Sequence, residues 1–155
     1  MAVEREFEIN RVEQLDLIDL IPLMRAYCDF YEARPRQERL TALSRALLGD
    51  ARCGVQLLAR SRSDGKALGF ATIYWTYSTL AADQIGVMND LYVAPEARRQ
   101  GVGRALIDSC RGRCREKGAG RLTWSTAPDN ATARRLYDAV GAQPSSWIEY
   151  EIDAW

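Results

Sequence analysis

The chain contains no histidine among its 155 residues. Histidine is the side chain whose ordinary pKa, about 6.5, suits proton transfer near neutral pH, and it is the commonest nitrogen ligand of protein-bound zinc. Its absence therefore removes the usual general base and the usual partner of thiolates in metal sites. Four cysteines are present without a CxxC spacing, and Cys110 and Cys114 lie four apart in a helical pattern. We expect reduced, mostly buried thiols and no metal site.

An excess of one charge and a long apolar run are also missing. The chain has 21 basic and 21 acidic residues, so no overall field would attract nucleic acid or an anionic bilayer. No apolar stretch approaches the roughly 18 residues that cross a bilayer, and the opening MAVEREFE does not resemble a signal peptide. We expect a cytoplasmic protein that binds neither nucleic acid nor a membrane.

The composition is that of an ordinary folded domain. Apolar residues make up 47% of the chain and charged residues 27%, which is typical of globular proteins. A chain of this length is about one domain, and it has no internal repeat, low-complexity stretch or long linker. The sequence therefore predicts a single domain over residues 1–155.

Hydrophobic periodicity predicts the order strand, two helices, three strands, helix, strand, helix, strand. The predicted strands are 4–10, 54–60, 67–77, 85–93, 121–126 and 146–152, and the predicted helices are 17–31, 35–49, 101–117 and 130–140. Pro22 is tolerated if Asp16 or Asp19 caps the first helix, so that the proline falls in its first turn. This order predicts a mixed α/β fold.

A strand runs through a polar turn into a helix at residues 90–108, DLYVAPEARRQGVGRALID. Gly101 and Gly103 stand at the helix start, where glycine permits a tight turn and lets an anion approach the backbone closely. The unpaired amides of the first helical turn and the positive end of the helix dipole favour a pyrophosphate there. Three arginines flank the glycines: Arg98, Arg99 and Arg104.

These glycines also occur in other kinds of turn. An isolated GxG is also typical of an ordinary solvated turn. A dinucleotide-binding GxGxxG would need a third glycine where Leu106 stands, and a GxxxxGK[ST] loop is excluded because Gly65-Lys66 is followed by Ala67.

The segment Arg98-Arg99-Gln100-Gly101-Val102-Gly103 matches the signature [RQ]-x-x-G-x-[GA] of the GCN5-related N-acetyltransferases. NATARRLYDAVGA at residues 130–142 also resembles this family's N-x-x-A-x-x-L-Y-x-x-x-G-[AF] segment. The resemblance implies a single α/β (α+β) domain, with a mixed central sheet of about six to seven strands flanked by about four helices. It also implies acetyl-coenzyme A as cosubstrate.

The resemblance further implies a role for each matching position. Leu91, Tyr92 and Val93 would lie along the pantetheine arm, with backbone groups of Leu91 and Val93 pairing with it in a slot left by splayed strands. The amides from Arg99 to Arg104, which include those of Gln100, Gly101, Val102 and Gly103, would hold the pyrophosphate. Asn130 would contact the arm, and Tyr137 would protonate the leaving thiolate.

An amine acceptor must lose a proton before it attacks. The ordinary pKa of a primary ammonium is about 10.4, so deprotonation at pH 7 costs roughly 4.6 kcal/mol. Because histidine is absent, a carboxylate must accept this proton, directly or through water, unless the substrate binds already deprotonated. Asp90 is the first choice, because it precedes the turn next to the presumed reaction centre, and Asp83 and Glu149 are weaker candidates.

The acceptor should be held by the first two helices and by aromatic strands. Tyr27 and Tyr31, with Asp90, are the predicted substrate-binding residues, because aromatic rings beside acidic groups can hold a cation. The NDLYV segment and the C-terminal SWIEYEID resemble the diamine acetyltransferase branch, which favours a small amine or diamine. A protein N-terminus or lysine acceptor and a non-catalytic coenzyme A-binding domain stay open as alternatives. The resemblance also implies a homodimer, in which Trp147 and Trp155 could pair subunits.

Overall fold

The computed structural model describes residues 5–155, so residue 4 of the first predicted strand lies outside the described residues. The strands are β1 Phe7–Arg11, β2 Gly54–Ser61, β3 Ala67–Ser78, β4 Asp83–Val93 and β5 Leu122–Thr123. The helices are α1 Leu17–Phe30, α2 Gln37–Gly49, α3 Val102–Lys117 and α4 Ala131–Ala139, with short 3₁₀ turns at Gln14–Asp16 and Pro95–Ala97. Residues up to Ser125 form one compact unit, and Thr126–Trp155, which contains α4, form a second.

The five strands form one mixed sheet in chain order. The first four are antiparallel to their neighbours, and β5 runs parallel to β4. The predicted hairpin between β2 and β3 is confirmed: Gly65 has φ +70°, and the amide of Lys66 donates to a carboxylate oxygen of Asp64 at 3.0 Å. An Asp-Gly pair favours such a turn because glycine adopts positive φ without steric cost.

Helices cover both faces of the sheet in the larger unit. Leu58 and Phe70, opposite each other on β2 and β3, pack into a cluster with buried side chains of α1 and with Leu40 of α2. Because strand side chains alternate between faces, Gly69 belongs to the opposite face, where an added Cβ would meet Leu106 of α3 at 3.4 Å. The α1 face carries Asp90 and the aromatic rings described below.

The predicted position of Pro22 is wrong. Helix α1 begins at Leu17, so Pro22 lies in its second turn, and Asp16 makes no side-chain cap to the helix. The Asp16 carboxylate instead accepts from the amide of Glu13 at 2.8 Å and from Arg60 at 2.7 Å. Proline removes one helical hydrogen bond, to Ile18, and Ile18 is exposed, so water can satisfy its carbonyl.

The predicted last strand, 146–152, is not a strand in the structure. Residues 142–155 contain neither helix nor strand, and four large side chains are 75–96% exposed: Trp147, Ile148, Tyr150 and Ile152. The strand predicted at 121–126 shortens to the two residues of β5. Alternating apolar residues make a strand only where a neighbour supplies hydrogen bonds, and so the sheet has five strands rather than six or seven.

Candidate active site

The turn between β4 and α3 has the backbone geometry of an anion site; residues 98–104 are called the cradle below. Gly101 caps α3 with φ +82°, and Arg99 also has a left-handed φ of +62°. A non-glycine residue in this conformation is uncommon and is often found at a functional site. The first hydrogen bond of α3 runs from the amide of Ala105 to the carbonyl of Gly101 at 3.0 Å. The amides of residues 102–104 therefore have no acceptor within the helix.

Two cradle side chains brace the turn itself. Arg98 Nε donates to the carbonyl oxygen of Val93 at 3.1 Å, and Gln100 Nε2 donates to that of Glu96 at 2.9 Å. In the described part of the chain, the guanidinium groups of Arg99 and Arg104 have no hydrogen-bond or ion-pair partner. Of the three predicted arginines, Arg99 and Arg104 are thus the two whose charges are available to an anion.

Gly101 leaves the backbone of the cradle accessible. A Cβ added at this glycine would meet no atom within 4 Å, so the backbone here borders open space. The amide donors and the positive dipole end of the first turn of α3 lie in the same short segment as Arg99 and Arg104, whose guanidinium groups have no partner among the described residues. The donor set is suited to phosphate oxygens.

The edge of β4 is open next to the cradle. The ladder between β4 and β5 ends at the Val87–Thr123 pair, whereas β4 continues to Val93. Between residues 5 and 125, the stretch Met88–Val93 has no strand partner on the β5 side. The resemblance implies a slot between splayed strands here, with an extended ligand along Leu91–Val93, and that role stays a prediction.

A β-bulge in β4 sets the direction of Asp90. In the register with β3, Thr72 faces Asp90 and Ile73 faces Met88, so that Asn89 is an extra residue. Asn89 is exposed, whereas Asp90 is only 9% exposed and lies on the side of α1. The sequence did not predict this bulge.

Burial raises the pKa of the Asp90 carboxyl above its ordinary value, and hydrogen bonds from three neighbours partly offset that effect. The neighbours are Thr72, Asn89 and Tyr27. Asn89 Nδ2 donates to Asp90 Oδ1 at 2.9 Å. A carboxylate with a raised pKa holds a proton more strongly than an exposed one does, so Asp90 is suited to accept a proton.

Two phenols face Asp90 from different elements. Tyr27 of α1 has its hydroxyl 3.4 Å from the carbonyl oxygen of Asn89 and close to the Asp90 carboxylate. Burial raises the pKa of Tyr27, and the charge of Asp90 raises it further. The same two causes raise the pKa of Tyr74 on β3 to about 12. Both phenols therefore remain neutral near pH 7, as hydrogen-bond donors.

The structure brings the predicted substrate-binding residues together. The ring of Tyr27 lies edge-on to that of Tyr31, with centroids 5.1 Å apart, and Tyr31 in turn contacts Phe30 at 4.9 Å. Tyr31 and Phe30 are exposed, whereas Tyr27 is half-buried next to Asp90. A chain of aromatic rings thus leads from the surface of α1 to the carboxylate.

The remaining predicted site residues, cofactor-binding Asn130, catalytic Tyr137 and the weaker base candidates Asp83 and Glu149, lie in the second unit or at the start of β4. Asn130 caps α4, and its side-chain oxygen accepts from the amide of Ala133 at 3.2 Å. Tyr137 lies half-buried on the same helix. Asp83 begins β4 and is exposed, as is Glu149, so neither has the desolvated surroundings of Asp90. The roles predicted for Asn130 and Tyr137 stay predictions.

Comparison with known proteins identifies the family. Residues 20–142 match the Acetyltransferase (GNAT) family. The chain belongs to this family. An uncharacterized N-acetyltransferase of Bacillus subtilis (strain 168) is 31% identical over 143 residues, which are 92% of this chain and 94% of that protein.

Two further similarities concern substrate and fold. A thialysine N-epsilon-acetyltransferase of Caenorhabditis elegans is 33% identical over 89 residues, which are 55% of either protein. The crystal structure of a probable acetyltransferase superposes with a TM-score of 0.83 at 29% identity, covering 96% of this chain and 98% of that one. The predicted family, the mixed α/β fold and an acetyl-coenzyme A-dependent N-acetyltransferase activity are confirmed. No helix among residues 5–155 is long and apolar enough to span a membrane.

Proposed function

We propose that this enzyme transfers the acetyl group of acetyl-coenzyme A directly to the nitrogen of a small amine or diamine. The observation that carries the proposal is the buried Asp90 carboxylate, which lies at the bulge of the open β4 edge and at the inner end of the aromatic chain of α1. This arrangement supports a role for Asp90 as proton acceptor between a cosubstrate along β4 and a cationic acceptor on α1.

The cradle and the β4 edge hold the acetyl donor in this proposal. Backbone amides from Arg99 to Arg104 bind the pyrophosphate, with the guanidinium groups of Arg99 and Arg104 supplying positive charge. Leu91, Tyr92 and Val93 lie along the pantetheine arm, and Asn130 contacts it. Acetyl-coenzyme A supplies a thioester, whose carbonyl carbon the amine attacks.

Asp90 and Tyr137 carry out the proton transfers in the proposed reaction. Asp90 accepts a proton from the substrate ammonium, directly or through a water, which frees the nitrogen lone pair. The new C–N bond forms as the C–S bond breaks, and the Tyr137 hydroxyl gives its proton to the leaving thiolate. The acetylated nitrogen then loses its second proton, which restores the Tyr137 phenol directly or through water, and Asp90 releases its proton to solvent. The products are an N-acetyl amine and coenzyme A.

The cysteines support direct transfer rather than an acetylated enzyme. Burial raises the pKa of Cys28, the cysteine nearest Asp90, and raises that of Cys110 to about 12. A thiol with a raised pKa is protonated near pH 7 and is a poor nucleophile. All four cysteines are free, in keeping with the reducing cytoplasm where we place the enzyme.

Tyr27, Tyr31 and Asp90 form the proposed acceptor site. Two aromatic faces and one carboxylate favour a cationic amine by cation–π contact and charge pairing. The Caenorhabditis elegans relative, named for thialysine, supports a small-molecule acceptor.

The subunit is proposed to be one domain that pairs as a homodimer. The family match spans residues 20–142 and so crosses the boundary at Ser125 between the two units. Exposed apolar side chains are concentrated at residues 147–155, and burying them against a second copy would remove apolar surface from water.

The test is coenzyme A release from acetyl-coenzyme A, with a thiol reagent, across amines of increasing length. The panel contains monoamines, diamines, polyamines, amino acids and a lysine-containing peptide. We expect release with a small amine or diamine, with loss of at least tenfold in kcat/KM for the peptide. Tight calorimetric binding of the cosubstrate without release for any amine would instead support a binding domain, and preference for the peptide would support a protein acetyltransferase.

A further inference from the structure

Three buried polar side chains stand in one row across the sheet; they are called the polar row below. Gln56 on β2 faces Thr72 on β3, and Thr72 faces Asp90 on β4. Their exposed fractions are 3%, 0% and 9%. Gln56 interrupts the apolar run of β2, and a buried amide is costly unless it forms hydrogen bonds. Packing alone therefore does not account for three polar side chains at these buried positions.

The bonds within the polar row have a direction. Gln56 Nε2 donates to Thr72 Oγ1 at 3.1 Å and also contacts Met24 Sδ at 3.7 Å. Since the Thr72 oxygen accepts from Gln56, its own hydroxyl proton is left to donate elsewhere, and the Asp90 carboxyl, whose pKa the Thr72 hydroxyl lowers, faces it in the register of β3 with β4. Gln56 Oε1 is buried, without a hydrogen-bond partner among the described residues.

We infer that Gln56 and Thr72 are positioning residues, which orient one hydroxyl proton toward Asp90 and so hold its carboxylate in the geometry that accepts the substrate proton. This inference rests on the proposed role of Asp90. Gln56 acts through Thr72, and neither residue is assigned a contact with substrate.

The other titratable groups that face Asp90 are neutral near pH 7. They are Tyr27 and Cys28 of α1 and Tyr74 of β3, and burial raises the pKa of each. Compensation for burying the carboxylate comes from the Asn89 amide, which donates to Asp90 at 2.9 Å, and from the Thr72 and Tyr27 hydroxyls, which lower its pKa. The polar row supplies the donor from the β3 side.

The test measures the Asp90 carboxyl directly in the whole protein. The side-chain ¹³C carboxyl signal, assigned by its loss in Asp90→Asn, is titrated by NMR in Thr72→Val, Thr72→Ser and Gln56→Met. Losing one donor to a carboxylate should move the midpoint of Thr72→Val upward by roughly one pH unit. Gln56→Met should move it in the same direction by less, and Thr72→Ser, which keeps the hydroxyl, should restore the original midpoint.

The outcomes separate positioning from packing. If the polar row contributes only to packing, all three variants should melt at lower temperatures while the NMR midpoint stays unchanged. That result would overturn the inference. Equal midpoints for Thr72→Val and Thr72→Ser would overturn it as well. If Thr72→Val does not fold, Gln56→Met provides the same comparison from a different strand.

Kinetics distinguish this inference from the proposed function. If Asp90 is the base, the apparent pKa of the acidic limb in the profile of kcat/KM against pH rises together with the NMR midpoint. If the NMR midpoint moves but the apparent pKa of the kinetic profile does not, the positioning of the carboxylate is supported and Asp90 is removed from the proposed reaction.

Discussion

Replacing Gly101 by alanine tests the cradle, and the same helix provides a matched control. Gly101 and Gly118 cap the two ends of α3 with φ of +82° and +80°, and an added Cβ would meet no atom within 4 Å at either position. The helix has 16 residues, which places the two caps about 24 Å apart. The two alanine variants therefore differ in location but not in local strain.

The expected magnitudes follow from this geometry. A left-handed conformation costs a residue with a Cβ roughly 1–2 kcal/mol, so each variant should melt about 2–8 °C below the parent protein. Only Gly101→Ala puts a methyl group where phosphate oxygens approach the amides. Losing one hydrogen bond to a charged group costs about 1.5–3 kcal/mol, which weakens acetyl-coenzyme A binding roughly 10- to 150-fold.

Calorimetry with acetyl-coenzyme A and thermal melts of both variants provide the comparison. We expect similar melting temperatures, weakened cosubstrate binding in Gly101→Ala and unchanged binding in Gly118→Ala. The reasoning is refuted if Gly101→Ala binds within about twofold of the parent protein, or if both variants lose affinity equally.

Three further predictions concern catalysis, pH and assembly. Tyr137→Phe should lower kcat about 100-fold or more, the usual contribution of a general acid, with the calorimetric Kd for acetyl-coenzyme A nearly unchanged; unaltered kcat would remove this phenol from the mechanism. Burial raises the pKa of Asp90, so the folded state holds that proton more tightly than the unfolded state does, and its ionisation destabilises the fold. Asp90→Asn should therefore resist urea better than the parent protein at pH 7, lose this advantage below about pH 4 and show much lower turnover; equal stability at both pH values would contradict the argument. Ile148→Lys with Ile152→Lys should convert a dimer to a monomer in sedimentation velocity, whereas Leu80→Lys, at a side chain 86% exposed elsewhere, should not.

Features determined by neighbouring residues could be predicted from the sequence. Helix α3 ends where Gly118 adopts positive φ, and the hairpin turn forms at Gly65, because glycine alone enters that conformation without cost. The cradle follows the same logic, since the glycine pattern and the helix start lie within a few residues. Asp90 was predicted from its place next to the cradle.

Features that depend on pairing between distant segments could not be predicted. The bulge at Asn89 exists only in the register of β4 with β3. Gln56 and Thr72 lie 16 residues apart and meet Asp90 only because three strands align, although a lone glutamine in the run GVQLL was a signal that could have been noticed. The alternation at 146–152 needed a strand partner, which sequence alone does not supply.

The most direct measurement of the central claim is an ¹H–¹⁵N NMR titration with acetyl-coenzyme A. The account predicts that the backbone amides of residues 99–104 shift most, followed by those of the β4 edge at 91–93. Saturating binding that left these amides unmoved, with shifts confined to other parts of the chain, would contradict it.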